Sequence, residues 1–121
     1  MKIRKQETIC EWQEVQPMTP ESGSVVGLAV ATFENYKSTI IHGLRHKPSS
    51  NSNGWYLWKG EYKEKDEFFQ PICYEHLSDY ISEDIIQYLD LPTGYRFLVD
   101  EPNYEDVWFD QDLLNTQYFA F

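Results

Sequence analysis

Two sets of side chains in this sequence are of types that do chemistry. The first is His42, His46, Cys73 and His76. His42-x3-His46 and Cys73-x2-His76 are spaced like paired ligands, and four soft or borderline donors suit zinc. Neither pair matches a zinc-finger pattern, and Pro48 ends any strand near His46, so two surface histidines and a buried thiol are the plainer reading. The second set is acidic: Asp100, Glu101, Glu105, Asp106 and Asp110 crowd one short stretch. Two carboxyls held apart in a cleft hydrolyse glycosides when an apolar pocket keeps one of them protonated. Trp58 or Trp108 would then serve as the sugar platform. A small acid/base hydrolase using the Asp100–Asp110 carboxylates is therefore one reading of the chain. The same stretch lacks the central Gly and spaced oxygen donors of an EF-hand calcium loop. No Gly-x-Ser-x-Gly elbow and no phosphate-cradling Gly-rich loop occurs, and Cys73 and His76 sit too close in sequence to act as nucleophile and base. These residues yield no catalytic group, no metal ligand set and no cofactor, so a non-catalytic binding protein is the stronger expectation.

Recognition has better material. Acids alternate with aromatics at Glu61-Tyr62, at Asp66-Glu67-Phe68-Phe69 and at Tyr104-Glu105-Asp106, with Trp108 close behind. Rings flanked by carboxylates can anchor an interface while the rim charge speeds encounter with a basic partner. The plainer alternative is that the rings are core and the acids are solvated. The residues alone leave both open.

Length and charge narrow the setting. A chain of 121 residues is one domain, 1–121, able to bury a core without staples. Its aromatic share of 17% suits a sheet packed on large rings. Residues 1–60 carry seven Lys/Arg against five acids; residues 61–121 carry three against fifteen, for a net charge of −10. Such a surface repels nucleic acid and anionic membranes and attracts cationic partners. No apolar run approaches the roughly 20 residues that cross a bilayer. The basic Met1–Lys5 start leads into polar residues with no apolar region behind it, so no signal peptide is expected. Two cysteines, Cys10 and Cys73, fit reduced thiols in the cytoplasm, a single bridge between them being the less favoured alternative.

The elements that would position these groups can be traced along the chain. Residues 1–22 form a peripheral N-terminal segment, with a weak edge strand over 7–15. Val25 to Phe33 is an apolar run of strand length, with a helix as runner-up. Thr39 to Arg45 reads as a strand with Ile41, Gly43 and Arg45 on one face and Ile40, His42 and Leu44 on the other. Pro48 to Gly54 is a flexible polar loop. Trp55 to Trp58 is a strand, and Glu61 to Gln70 a charged loop anchored by Phe68-Phe69. Ser82 is a natural N-cap with Glu83 and Asp84 in the first helical turn. Ile85, Ile86 and Leu89 make its buried stripe, and Leu91-Pro92 stops it. Tyr95–Val99 and Val107–Phe109 pair as a hairpin. Asp112 begins a short helix, and Tyr118–Phe121 is an apolar tail that must dock. The sum is an α+β domain: a mainly antiparallel sheet of about five to six strands with one or two short helices packed on one side.

The order of signals carries a resemblance. Gly54-Trp55, Gly60-Glu61 and the downstream Leu89-x-x-Pro92-x-Gly94-x-x-Phe97 are its best marks. Over roughly residues 25–112 the chain resembles a family of small bacterial α+β domains, long catalogued as of unknown function and grouped with the immunity proteins of polymorphic toxin systems. The resemblance implies binding of a cognate protein toxin in the producing cell, and no catalytic residue. With this acidity it implies a basic toxin, nuclease-like in charge. The residues expected to carry the contact are Trp58, Glu61, Asp66, Glu67, Glu105 and Asp106, in a monomer or homodimer. A stand-alone housekeeping binding domain is the alternative within the same class.

Overall fold

Strands form where apolar and β-branched residues alternate or run together. The computed structural model describes residues 8–34, 38–65, 67–100 and 104–115. Its strands are β1 (Val25–Leu28), β2 (Ile41–Arg45), β3 (Ser52–Lys59), β4 (Gln70–Cys73), β5 (Tyr95–Asp100) and β6 (Tyr104–Phe109). They make one six-stranded sheet in the order β4-β1-β3-β2-β5-β6. Only β1 and β3 pair in parallel; the other four pairings are antiparallel. This is the expected α+β class, with the expected β5–β6 hairpin in register from Tyr95↔Phe109 to Asp100↔Tyr104. The helices are α1 (Ile9–Gln13), α2 (Val30–Phe33), α3 (Glu83–Ile86) and α4 (Asp112–Asn115), with 3₁₀ turns at Tyr74–Asp79 and Gln87–Asp90. Each is short, and they are more numerous than the one or two expected.

Four local expectations fail for physical reasons. Residues 7–15 were expected as an edge strand, yet Thr8 and Glu11 close a capping box that starts α1. The Glu11 N–H donates to Thr8 Oγ1 at 3.1 Å and the Thr8 N–H to Glu11 Oε1 at 2.9 Å. The run Val25–Phe33 divides: the Ala29 N–H donates to Leu57 O as β1 ends, and α2 follows. Ser52, Asn53 and Gly54, expected in a flexible loop, are buried at the start of β3. They settle there because side chains satisfy the backbone; Asn53 Oδ1 accepts from the Trp55 N–H, and Asn53 Nδ2 donates to Ser24 Oγ. Finally β4 was not expected, since Pro71 hides an edge strand. The tail Tyr118–Phe121 lies outside the described residues. Ser82 does hold the N-cap position of α3, without a capping bond from its side chain.

Cross-strand register sorts the sheet into two faces. One carries the row Leu57–Gly43–Phe97–Val107. The large core packs here, joining Trp55, Leu57, Phe97 and Val99 to Ile9, Leu77, Ile85 and Leu89 from the helical pieces. A Cβ on Gly43 would come 2.3 Å from the Phe97 ring and 2.7 Å from Leu57, so only glycine lets the ring lie flat across β2.

One cation is buried on this face. Arg45 is 2% exposed, and backbone carbonyls accept from two nitrogens of its guanidinium. Nη1 donates to Met18 O at 2.6 Å, Leu91 O at 2.8 Å and Leu89 O at 3.4 Å; Nε donates to Asn53 O at 3.0 Å. It ties the segment after α1, the end of the 87–90 turn and β3 to one point.

Candidate functional site

The opposite face follows from the same register. Its first row runs Trp58–His42–Leu98–Asp106 across β3, β2, β5 and β6, and its second runs Tyr56–Leu44–Arg96–Trp108. No helical residue belongs to the cluster on this side, which holds Ala29, Tyr56, Trp58, Phe68 and Phe69 with Leu44 packed against it. The loop after β3 folds Phe68 and Phe69 over one end of the face. Phe69 meets Tyr56 and Trp58 edge-on, at 5.1 and 6.2 Å between centroids. The other end is uncovered among the described residues, with Trp108 and Tyr104 37% and 52% exposed, while Tyr62 packs edge-on to Phe68 and Trp58 at the covered end and is 43% exposed.

Between the covered and uncovered parts lies a concavity of about 330 Å³ lined by Leu44, His46, Tyr56, Trp58, Tyr62, Phe69 and Arg96. Its walls are mostly aromatic and aliphatic, with His46 and Arg96 as the basic members. Arg96 pairs with Asp110 at 3.1 Å and lies 5.6 Å from the Trp108 ring centroid. Its Nε is buried and has no hydrogen-bond partner among the described residues. His42 stacks on Trp58 at 5.0 Å. Burial, then the Arg96 charge, hold the His42 imidazole below its usual range, against a hydrogen bond to the Gly60 backbone that favours the proton. Among the described residues the face therefore presents the Arg96 cation paired with Asp110, a neutral His42 imidazole at neutral pH, the Asp106 carboxylate and rings.

The residues singled out from sequence fall in three places. Trp58 forms a wall of the concavity, and Asp106 ends its cross-strand row three strand spacings away, roughly 14 Å. Glu61 and Glu67 line a separate polar cleft of about 580 Å³ with Lys59, Lys63 and Lys65. Asp66 lies outside the described residues. Glu105 alternates to the helix-bearing face, where its carboxylate accepts a hydrogen bond from Tyr88 Oη. The carboxylates considered for hydrolysis are also dispersed. Asp100 accepts from Thr39 Oγ1 at 2.6 Å, Asp110 faces Arg96, and among the described residues no acid lines the apolar concavity. Glu101 lies outside the described residues.

Sequence reasoning missed His42, Leu44, Tyr56, Tyr62 and Arg96 as members of the site. The signal was there: even positions of β2 and β3 and of β5 and β6 share one face once the pairings are known, but single-strand alternation does not give pairings. The four candidate zinc ligands do not gather. His42 and His46 lie against Trp58 and Tyr56, while Cys73 is exposed on β4 and His76 is exposed on the 74–79 turn. Both cysteines are free thiols. Cys10 is buried in the core, and burial followed by the nearby Asp90 charge pushes its pKa up.

The sequence that builds this sheet matches a family model over most of its length. The Imm33-like domain model fits residues 5–110. The chain belongs to the Imm33-like family. No curated protein and no solved structure matches it. In this Imm33-like domain most marks of the resemblance are scaffold, Glu61 being exposed at the loop cleft. Trp55 is buried and its Nε1 donates to Leu89 O at 2.9 Å; Leu89 and Phe97 are core. The Gly94 N–H donates to Arg45 O, and Gly94 O accepts from the Asp110 N–H. None of these side chains lines the concavity.

Proposed function

We propose that this Imm33-like domain is an immunity protein that neutralises a cognate basic protein toxin by direct contact, in the cytoplasm of the cell that makes both. The observation that carries the reading is the uncovered sheet face, with its ring-walled concavity of about 330 Å³ on a molecule of net charge −10. Family membership supports a protein partner rather than a substrate. Exposed aromatics around an apolar hollow are the usual makings of an interface anchor, and the surrounding acids steer a cation-rich partner toward it. Trp58 would wall the anchor pocket and Asp106 would hold the rim. Glu61, Asp66 and Glu67 would add charge at the loop end. Glu105, bonded to Tyr88, would support the fold beneath the surface.

The test is capture from native lysate with tagged wild type, Asp106→Lys and Trp108→Ala, at low and high salt, followed by native mass spectrometry. One basic protein held at low salt and shed at high salt is expected for wild type. Asp106→Lys should slow its association and flatten the salt dependence. Trp108→Ala should weaken binding about 10- to 30-fold, the cost of truncating an anchor by ~1.5–2 kcal/mol. Recovery of the protein alone, or a partner bound equally by all three, would refute the reading.

A further inference from the structure

The outer edge of β6 is a second surface, and the register fixes what it offers. Tyr95 faces Phe109, and the Asp110 N–H beside that pair donates to Gly94 O at 2.7 Å, so Tyr95 and Phe109 are a non-hydrogen-bonded pair and Arg96 and Trp108 a bonded one. Bonded and non-bonded pairs alternate along an antiparallel ladder. Trp108 and Asp106 therefore turn their backbone groups toward β5, while Val107 and Phe109 turn their N–H and C=O groups outward. Among the described residues no strand lies beyond β6. The opposite edge of the sheet is poorer: β4 has four residues, and its Pro71 has no N–H to give.

Side chains define what an added strand would meet. Asp106 and Trp108 project on the uncovered face, with Asp110 just beyond. Val107 and Phe109 project on the helix-bearing face, where Phe109 is 49% exposed. A second copy of the chain is disfavoured as occupant, because each copy brings a net charge of −10. Charge complementarity instead selects a cationic segment. We propose that the β6 edge takes up one extended segment of a basic protein partner as a seventh strand, antiparallel to β6. Its Lys or Arg side chains lie on the uncovered face beside Asp106, and its apolar side chains lie beside Val107 and Phe109. The proposal rests on the immunity reading for its partner, but its geometry can be tested without that partner.

The probe is a capped hexapeptide alternating Lys and Val, titrated into the full ¹⁵N-labelled chain at low salt. The expected result is a shift and slowed exchange of the Val107 and Phe109 amides. In an antiparallel pairing the probe residues that bond to Val107 and Phe109 lie directly opposite them and share their face, so they are its valines. N-methylation of the valines should weaken binding about tenfold per blocked bond, whereas N-methylation of the lysines should leave it unchanged. A Glu-Val peptide should not bind. Any of four results overturns the proposal: no binding at low millimolar peptide; equal behaviour of the two N-methylated peptides; shifts confined to other residues; or Val107 and Phe109 amides already protected in the free chain, by dimerisation or until residues 116–121 are deleted. If the peptide fails while the salt-sensitive basic partner is still captured, the edge proposal alone falls. If the peptide binds as expected and no basic partner exists, the immunity reading falls.

Discussion

Replacing Arg45 with Met removes a buried guanidinium and keeps its apolar stem. Four carbonyls accept from that group, but Leu89 O also accepts from Trp55 Nε1 at 2.9 Å and keeps that donor. Met18 O, Leu91 O and Asn53 O lose a charged donor. At ~1.5–3 kcal/mol for each hydrogen bond to a charged group, the gross loss is about 5–9 kcal/mol. Against it stands the cost of burying the charge. Burial lowers the Arg45 pKa from 12.5 to about 10, with Asp90 and then Tyr74 pulling the other way. At about 1.4 kcal/mol per pKa unit, this returns ~3 kcal/mol when the charge is removed. The variant should therefore lose ~2–6 kcal/mol. With a urea slope of ~1.5 kcal/mol per molar, a loss of ~3 kcal/mol lowers the midpoint by about 2 M.

The rival outcome has a physical basis, since a buried ion pair replaced by apolar residues is often neutral or stabilising. Arg45 differs because its partners are backbone carbonyls from three segments, and the substitution leaves three of them, Met18 O, Leu91 O and Asn53 O, in place without that donor. An unchanged or raised midpoint in Arg45→Met would refute this account of the clamp. Partner binding below the transition should survive the substitution, because Arg45 sits on the face opposite the concavity.

Three further outcomes follow from the same geometry. Gly54→Ala should cost more than ~3 kcal/mol or abolish folding, because φ is +93° and a Cβ would lie 2.0 Å from His46 O; soluble yield and a thermal melt read it. The lowered pKa of His42 means the unfolded chain binds its proton first as pH falls through about 6.5, so stability should drop there. Urea midpoints at pH 7.5 and 5.5 should show that slope in wild type and lack it in His42→Gln. Glu105→Gln should cost ~1 kcal/mol through the Tyr88 contact while leaving the salt dependence of partner association unchanged, unlike Asp106→Lys.

Elements with their own local signal were legible in the sequence. The β5–β6 hairpin, the two faces of β2, the Phe68-Phe69 anchor and the Ser82 start of α3 all follow from patterning and turn chemistry within a few residues. Elements whose cause is distant were not. Ser52 to Gly54 look like loop because their burial depends on β1 lying alongside, and Val25 is bonded to Asn51 O across that junction. Strand β4 exists because β1 needs a partner on its outer side, which Pro71 gives no hint of. In α1 the capping residues Thr8 and Glu11 were readable, but a period-2 pattern of Ile9, Glu11, Gln13 and Val15 competed with them. For the site, Trp58 and Asp106 could be chosen by type, but their common row needs three pairings that no single strand encodes.

The split between scaffold and surface explains why the family is easier to recognise than its partner. Gly54, Trp55, Leu89, Gly94 and Phe97 answer to the backbone and the core: a carbonyl that leaves no room for a Cβ, an indole N–H bonded to Leu89 O, a ring lying across Gly43. Changing any of them changes the sheet. Tyr62, Asp106, Trp108 and Phe109 are exposed. Substitution there leaves the rows of the sheet in register and alters only what the uncovered face and the β6 edge present. A domain built this way can hold one fold while its surface is refitted to a new partner. Partner specificity should therefore follow exchange of residues at the even positions of β5 and β6 and in the Glu61–Gln70 loop. Grafting those positions from another Imm33-like domain onto this chain should transfer partner choice at unchanged thermal stability. Transfer by the scaffold residues instead would overturn the division.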